Sequence, residues 1–535
     1  MSIRRSVVLL GMVLAGVSGG EAQTRMSAAG VVAVQDLGAA CDGVSDDSAA
    51  FQKALDAVAG AGGTLAFHGT CVVRRRLELT NRAHALRAFT VDGHGGTILT
   101  DGNDLFGFVA QAAQPQAVAI TLAAMTLTNR RPGPPSGTAI RFDNSRVSAE
   151  VIHAPVIRDL NINNMAMAVG LYDVGDSRSE NVVVNEYAKV NTAEAFHVEG
   201  TSGSRASANN DFRNVTVVGG TGWHLVGFVQ GIGIVSSKVL EGHWGVKTDN
   251  PVNGEGVQIN QSYFEASQGG IRFDRWSNLQ FIGDTFDSSS WEPTAPGWSA
   301  ISISPGGADD PSDFAGGVTI QGAQMNHVGA TSSDLIVAYL STGDVSHNII
   351  EGIAVRQPHC MRIHAPPSGT PSMVVVHDNS CWVAHGYDFN DTVIAYANWY
   401  TGDYRYVTLN ATNWTCPARV EGVSGVKTCW NASVRGETDF INSPGLGPGG
   451  FSFYGADVHG VYDRASPLLQ IGPDGSATVR GDLTAARLVS DPAGKAPPHS
   501  DSPCTPGQEA WDALFEYRCV AKDRWQRWAR PKASW

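Results

Sequence analysis

Short stretches in which apolar and polar residues alternate recur through the middle of the chain. From about residue 157, each stretch is followed by a polar turn, a second short strand and a glycine, with a period of about 20 to 40 residues. Examples are VIRDLNINN, FRNVTVVGG, VQINQSYFEASQGG and DVSHNIIEG. Because each unit is too short to bury its own apolar face, the units must stack, with one coil ~4.8 Å above the last. The pattern predicts an all-β solenoid, a parallel β-helix, over residues 30–385.

An antiparallel β-sandwich is the alternative interpretation of the same short strands. A sandwich needs tight two-residue turns, for which Asn-Gly and Asp-Gly are the typical sequences. Such dipeptides are sparse between these strands. The stacked solenoid is therefore favoured.

The segment 36–73 has a different pattern. Phe51, Leu55 and Val58 recur on one face of a helix, and Asp46 and Asp47 lie where a helix N-terminus favours carboxylates. Glycines then end the helix, and the sequence TLAF after them alternates as a strand does. We therefore expect a short helix that caps the first strands of the solenoid.

The same segment carries a recognisable order of residues. The order D-x-G-A-x-x-D-G-x-S-D-D-S-x-A-F-x-x-A-L, followed by G-G-T-L-x-F-x-G-T, resembles the opening of the pectate-lyase-like right-handed parallel β-helix superfamily. That superfamily includes polygalacturonase-like hydrolases, polysaccharide lyases, epimerases and phage tailspike depolymerases. The resemblance implies the right-handed fold and a polysaccharide substrate. It does not fix the reaction, because Lys247-Thr248-Asp249 only approximates the polygalacturonase N-T-D signature and no G-H-G or R-I-K signature follows.

Two cysteines depart from the superfamily pattern. Cys41 stands where the superfamily usually has glycine, and Cys71 where it usually has an aromatic residue. This double departure suggests one disulfide that closes the cap, with two unrelated buried thiols as the alternative. The eight cysteines fall in near pairs, without the C-x-x-C spacing of zinc sites, so we expect four disulfides and no metal site. The pairs are Cys41/Cys71, Cys360/Cys381, Cys416/Cys429 and Cys504/Cys519.

The first 22 residues predict export. Arg4 and Arg5 precede the apolar run 7–17, and small residues follow it, as in a bacterial-type secretory signal peptide. A secreted or periplasmic location in an oxidising compartment is therefore expected. The net charge of -13 argues against nucleic acid as a partner and gives no reason to expect binding to a membrane surface.

Stacking places candidate substrate-binding residues in outward columns. Aligning GVKTD with GIRFD and AISIS puts lysine and arginine in one column and two aspartates in another, with His224 at the head of the first column. Nearby tryptophans are candidates for stacking on sugar faces, or for packing a loop. The candidate substrate-binding residues are His224, Trp244, Lys247, Asp249, Arg272, Asp274 and Trp291. The alternative for the charged columns is simple ion pairing between coils.

A second alignment predicts the catalytic carboxylates. Setting VQI over LQF brings Glu265 level with Asp287 and places Asp284 just before it. Cleavage of a glycosidic bond needs a protonated carboxyl and a second carboxylate, and one Glu with two Asp on the following coil resembles the arrangement in tailspike glycosidases. Glu265, Asp284 and Asp287 are the catalytic candidates. The alternative is that they are ordinary solvated residues of a β-helix face.

These residues favour a glycoside hydrolase that needs no cofactor and acts on a polysaccharide. The first alternative is a lyase that cleaves a uronic-acid polymer by β-elimination, with Lys247, Asp249, Arg272 and Asp274 and a bound Ca²⁺. The second alternative is a tailspike-like binding or structural protein without catalysis.

The carboxyl-terminal part changes character. The sequence predicts an irregular or β extension over 386–445, a fibre-like β segment over 446–490 that resembles tail-fibre shafts, and a small disulfide module over 497–535. The fibre-like segment predicts a homotrimer, and a monomer is the alternative.

Overall fold

The computed structural model describes most of the solenoid and parts of the carboxyl-terminal region. The described residues are 30–82, 85–186, 193–202, 205–249, 254–288, 295, 297–304, 314–328, 334–352, 360–366, 372–382, 387–389, 393–396, 398–400, 424–430, 438–444, 451–453, 468–472, 476–480, 496–504, 506–512 and 514–529. The predicted signal peptide, Trp291 and Cys416 lie outside the described residues.

Each coil contributes strands to three parallel sheets, which we call the first, second and third sheets in the order in which the chain meets them. The first sheet contains Val31–Ala33, Gly63–Ala66, Phe89–Asp92, Ile120–Asn129, Val156–Asn163, Arg178–Asn185, Ser207–Ala208, Asp211–Arg213, Val229–Val235, Gly254–Asn260, Trp276–Ile282, Val318–Gln321, Thr342–Ser346, Met373–His377 and Val393–Tyr396.

The other two sheets share several long strands. The second sheet contains Asp42–Asp46, Thr70–Val72, Thr97–Thr100, Thr216–Val218, Thr285–Ser288, Gln324–Val328, Ile349–Gly352, Ser380–Trp382 and Trp399–Tyr400, with parts of Ile120–Asn129, Val156–Asn163, Arg178–Asn185, Lys238–Asp249 and Tyr263–Phe273. The third sheet contains Leu77–Thr80, Phe106–Val109, Thr138–Asp143, Met167–Tyr172, Glu194–Gly200, Thr221–Gly227, Ile301–Ile303, Ile336–Tyr339, Met361–His364 and Tyr387–Phe389, with the later parts of Lys238–Asp249 and Tyr263–Phe273.

The predicted right-handed parallel β-helix is confirmed. Within the sheets, each strand pairs in parallel with strands of the coils before and after it, as Val246 does with Trp223 and Ile271. The ladders continue to Trp399–Tyr400, past residue 385 where we placed the end of the solenoid. The inward face of each parallel sheet is buried, so its residues form one column of apolar side chains.

The inward side chains form one continuous apolar core. Aromatic rings from successive coils stack within it, as Phe196 does on Trp223 at 5.8 Å between ring centroids and Phe264 on Phe286 at 5.4 Å. Burial of one such side chain stabilises the fold by ~1.5 to 3 kcal/mol. The stacked rings therefore also fix the register of the outward residues between them.

The helix Ser48–Ala61 lies where the sequence predicted it, after a short 3-10 helix at Val34–Leu37. Phe51, Leu55 and Val58 are buried. Asp47 precedes the helix, and its carboxylate accepts hydrogen bonds from the backbone N–H groups of Ala40 at 2.6 Å and Val72 at 3.0 Å. The helix thus caps the first coil, and Asp47 ties it to the second sheet.

Three of the four predicted disulfides are present among the described residues. They join Cys41 to Cys71, Cys360 to Cys381 and Cys504 to Cys519. The fourth, Cys416/Cys429, stays a prediction because Cys416 lies outside the described residues.

Between the first and second sheets the chain turns at one residue per coil. In six consecutive coils this residue has a left-handed backbone conformation: Ser236, Gln261, Gly283, Gly322, His347 and Asp378. Ala323 follows Gly322, and a buried polar residue follows each of the others: Ser237, Ser262, Asp284, Asn348 and Asn379. These polar residues form a ladder in which a side-chain oxygen of one coil accepts a hydrogen bond from the backbone of the coil before.

The carboxyl-terminal region contains antiparallel pairs. Ser424–Trp430 pairs with Thr438–Pro444. A separate unit, 448–535, holds two three-stranded sheets. These are Phe451–Phe453, Leu469–Ile471 and Ala477–Val479, and Glu509–Trp511, Phe515–Ala521 and Arg524–Ala529. The boundaries of the segments after the solenoid and the homotrimer stay predictions. In the part of the chain that the structure describes, no helix is long and apolar enough to cross a membrane.

Candidate active site

The outer face of the third sheet carries the densest group of charged residues predicted by the coil alignment. The observed register places His224 beside Lys247, as predicted, and Arg272 beside Ser302. Val226 stands beside Asp249, two residues further along the same strands. The alignment of the outward columns is therefore correct over these coils.

The register adds a residue that the sequence analysis missed. His197 lies beside His224 on the preceding strand, and their rings meet edge to face with centroids 5.1 Å apart. The residues on either side of each histidine are buried apolar side chains, including Phe196 and Trp223. Because side chains alternate along a strand, both imidazoles must point outward.

Both histidines converge on one carboxylate, that of Glu194. His197 Nδ1 lies 2.9 Å from one Glu194 oxygen, and His224 Nδ1 lies 2.6 Å from the other. Glu194 is half-buried, at the start of the same strand as His197. One carboxylate thus holds two imidazoles from neighbouring coils.

The opposite ring nitrogens also meet carboxylates. His197 Nε2 lies 3.1 Å from Glu199, and His224 Nε2 lies 2.7 Å from Asp249. Lys247 Nζ lies 3.7 Å from Glu194 and 3.8 Å from Asp249. We call these six residues the third-sheet cluster: Glu194, His197, Glu199, His224, Lys247 and Asp249.

Electrostatics separate the members of the cluster. Burial raises the pKa of Glu194, but hydrogen bonds from His197 and His224 outweigh it and hold this pKa far below its usual range. Burial lowers the pKa of His197, but hydrogen bonds with Glu194 and Glu199 leave it raised. Glu194 is therefore ionised at any physiological pH, and its negative charge stabilises the protonated form of His197.

A buried acid lies behind the cluster. Glu186 is 4% exposed, and neither of its carboxylate oxygens has a hydrogen-bond partner among the described residues. Burial, and then the charge of Glu194, raises its pKa well above the usual range. Glu186 therefore stays neutral where Glu194 is charged.

Tyr172 and Arg141 border the cluster on the preceding coils. The Tyr172 ring lies 5.2 Å from that of His197, and the Arg141 guanidinium lies 4.0 Å above the Tyr172 ring. Arg141 also donates a hydrogen bond to Asp143 at 2.8 Å. Burial raises the pKa of Tyr172, so its hydroxyl keeps its proton.

The predicted pair Glu265 and Asp287 lies on the second sheet, apart from these columns. The two residues are register neighbours, as the alignment predicted. The hydroxyl of Tyr263 donates a hydrogen bond to Asp287 at 2.6 Å. The predicted site residues are thus divided between two sheets.

The structure does not support the prediction for Asp284. Its side chain is fully buried in the turn ladder instead of facing outward. Its neighbour in the chain, Gly283, has the left-handed conformation of that turn, and the side chain that follows must point inward. Asp284 therefore cannot reach a polysaccharide on the outer face.

The remaining candidates have mixed positions. Arg272 donates a hydrogen bond to Asp274, two residues further along the same coil, at 3.1 Å, so this ion pair does not join two coils. The half-buried Trp244 lies over Gly269 of the next coil, where an added Cβ would come within 2.4 Å of the indole. Trp291 lies outside the described residues. Trp244 thus contacts Gly269 and Arg272 contacts Asp274, both on the coil that follows Lys247.

A metal ion has suitable ligands at one point of the cluster. Ligand atoms of Glu194, His197 and His224 all lie within 4.8 Å of one another. Two imidazoles and one carboxylate do not suit Ca²⁺, which takes oxygen ligands. The calcium ion expected for a lyase belongs to another group, with Asp249 and Asp274, and it stays a prediction.

The missed residues carried a usable signal. EAFHVEG and TGWHLVG have the same order of small, aromatic, histidine and apolar residues. Aligning them would have placed His197 beside His224. Our alignment began at His224, one coil too late.

No protein-family model and no curated protein matches the chain. Among solved structures, it is similar to the Streptococcus pneumoniae surface protein and adhesin PfbA, at 16% identity and a TM-score of 0.41, over 69% of this chain and 100% of that one. It is also similar to the A-module of the Azotobacter vinelandii mannuronan C-5 epimerase AlgE6, at 14% identity and a TM-score of 0.38, over 71% and 100%. An exopolygalacturonase from Thermotoga maritima matches at 12% identity and a TM-score of 0.33, over 68% and 91%. The assignment of the fold therefore depends on the parallel pairing of this chain's own strands.

Proposed function

We propose that the chain is an exported enzyme that acts on a polysaccharide, with its active site at the third-sheet cluster. The observation that carries the proposal is the convergence of two histidines, a lysine and three carboxylates on one outward patch, in which His224 is buried and Asp249 is exposed. The resemblance of the opening segment to the pectate-lyase-like superfamily supplies the substrate class. The predicted signal peptide and the disulfides favour an oxidising compartment.

The reaction that the cluster supports best is β-elimination on a uronic-acid polymer. Hydrolysis needs a carboxyl that keeps its proton near neutral pH, and the central carboxyl, Glu194, is held ionised. Elimination instead needs a cation beside the sugar carboxylate, a base for the adjacent C–H proton and an acid for the leaving oxygen.

The cluster offers a group for each task. Lys247 binds and neutralises the sugar carboxylate. Asp249 accepts the proton from C5, and His224, whose other nitrogen meets Glu194, orients the Asp249 carboxylate. As the C4–O bond breaks, the leaving oxygen takes a proton from Tyr172, and a C4–C5 double bond remains. Asp249 is the member closest to solvent, since its side chain is 58% exposed.

Hydrolysis at the second sheet is the second candidate. Glu265 and Asp287 are direct register neighbours, and strands of one sheet lie ~4.8 Å apart. That spacing is close to the separation of about 5 to 5.5 Å between the carboxyl groups of retaining glycosidases. The hydroxyl of Tyr263 donates a hydrogen bond to Asp287, which orients that carboxylate beside Glu265.

One screen separates these functions. The mature protein is incubated with a panel of uronic-acid and neutral polysaccharides, and both ultraviolet absorbance of unsaturated uronates and new reducing ends are measured. β-Elimination gives both signals, and hydrolysis gives reducing ends alone. Glycan binding without either signal would indicate a binding or structural protein and would contradict the proposal.

A further inference from the structure

Glu194, His197 and His224 form an arrangement whose purpose need not be acid–base chemistry. Their ligand atoms all lie within 4.8 Å of one another, on two adjacent strands held by the buried Phe196 and Trp223. We infer that these three residues bind one divalent transition-metal ion, for which Zn²⁺ is the probe.

The donor types select the metal class. Two imidazole nitrogens and one carboxylate oxygen are a frequent set of three protein ligands for zinc, with a further position left open for water or substrate. The same set also suits other first-row divalent ions. Ca²⁺ and Mg²⁺ prefer oxygen ligands, so they should bind here much more weakly.

The outer contacts supply an independent argument. A histidine that binds a metal through one nitrogen usually donates its other N–H to a carboxylate or carbonyl, which fixes the ring and its tautomer. Both histidines have this second partner, because Nε2 of His197 meets Glu199 and Nε2 of His224 meets Asp249. Each ring therefore presents Nδ1 toward Glu194.

Lys247 is the main competitor of a metal ion for Glu194. Its Nζ places a positive charge 3.7 Å from the Glu194 carboxylate. Removal of the lysine charge should tighten metal binding, since like charges repel at this distance.

A second histidine of the same solenoid provides a matched control. His153 also lies between two carboxylates, with Nδ1 2.9 Å from Glu150 and Nε2 3.0 Å from Asp176. It has no second histidine in its group among the described residues. If a carboxylate on each side were enough for metal binding, His153 would bind as well.

The experiment is calorimetric titration of the chelator-stripped mature protein with Zn²⁺ at about pH 7.5, where imidazole is largely neutral in water. The expected result is one high-affinity Zn²⁺ per chain. His197→Ala and His224→Ala should each weaken binding by at least tenfold, and His153→Ala should leave it unchanged. Lys247→Met should tighten it.

Folding is controlled with an exposed residue. Asp249 is 58% exposed, so Asp249→Asn should fold normally, and loss of the negative charge beside His224 should weaken Zn²⁺ binding about tenfold. Melting temperatures of all variants are measured without metal. If a histidine variant fails to fold, the Asp249→Asn and Lys247→Met variants still test whether Zn²⁺ binds at this site.

Three results would overturn the inference: no binding of Zn²⁺, binding that none of the cluster variants changes, or competition by Ca²⁺ at equal concentration. The readout is heat of binding, so the inference stands or fails separately from the reaction proposed for the cluster.

Discussion

Oδ1 of Asp284 accepts a hydrogen bond at 2.8 Å from the backbone N–H of Ser262 on the preceding coil. Asn379 makes the same contact with the backbone of Asn348. Asn379 also donates from Nδ2 to the carbonyl of Val345, whereas the corresponding atom of Asp284, Oδ2, has no partner among the described residues. Asp284 thus occupies an asparagine position and can fill it only as a neutral acid.

Asp284→Asn should therefore stabilise the solenoid. Burial raises the pKa of Asp284 to about 8, against ~3.9 in an unfolded chain. Because the folded state holds the proton more tightly, the contribution of Asp284 to stability is greatest below about pH 4, falls as the pH rises, and levels off above about pH 8. This loss of unfolding free energy between about pH 4 and pH 8 is on the order of a few kcal/mol. The asparagine variant does not lose it, because an amide does not ionise.

Thermal unfolding of both proteins from about pH 4 to pH 8 tests this expectation. The melting temperature of the variant should exceed that of the parent by a few degrees at pH 8, with the gap closing towards pH 4. Asp56→Asn, an exposed change on the cap helix, should have no such effect. A lower melting temperature for Asp284→Asn at pH 8 would show that the buried carboxyl is ionised and has an unseen partner.

His224→Ala should abolish most turnover on a polysaccharide that the parent cleaves. The ring joins Glu194 to Asp249, so its loss removes the contact that orients Asp249, the base. The expected fall in kcat is ~10² to 10⁴. His153→Ala is the matched control, and equal losses in the two variants would point to a general structural effect.

Glu265→Gln and Asp287→Asn test the second sheet. Under β-elimination at the third-sheet cluster, neither variant should change the formation of unsaturated product by more than about twofold. If the reaction is hydrolysis by this pair, both should lower the release of reducing ends by ~10² while glycan binding persists. That second outcome would move the active site to the second sheet.

Removal of the Cys41–Cys71 disulfide should destabilise the cap. The bond links residues that are 30 apart in sequence, and Cys71 is fully buried. Replacing both cysteines with alanine should cost about 2 to 4 kcal/mol. Denaturant unfolding followed by circular dichroism measures the loss, and an unchanged midpoint would show that Asp47 and the buried helix face hold the cap without the disulfide.

The fold could be predicted because its signals repeat. Alternation marks each strand, and one coil can be aligned with the next, so the pairing of Glu265 with Asp287 and of His224 with Lys247 followed from the sequence alone. The helix Ser48–Ala61 followed from the spacing of its apolar residues.

The site was only partly predictable. Lys247 and Asp249 follow from the alignment of the outward columns, but Glu194 and His197 lie on the strand before His224, which that alignment did not include. Asp284 was misplaced because one left-handed residue reverses the direction of the next side chain, and hydropathy does not report backbone conformation. The convergence of His197 and His224 on Glu194 is visible only in the three-dimensional structure.

The pairing of each coil only with its neighbours also bears on how the chain folds. Contacts such as those of Val246 with Trp223 and Ile271 join segments one coil apart in sequence, so no pairing of this kind must wait for a distant part of the chain. Synthesis delivers the N-terminal coils first. With the helix Ser48–Ala61 covering the starting end, a growing solenoid presents a single unpaired edge, and the next coil to emerge is the segment placed to cover it.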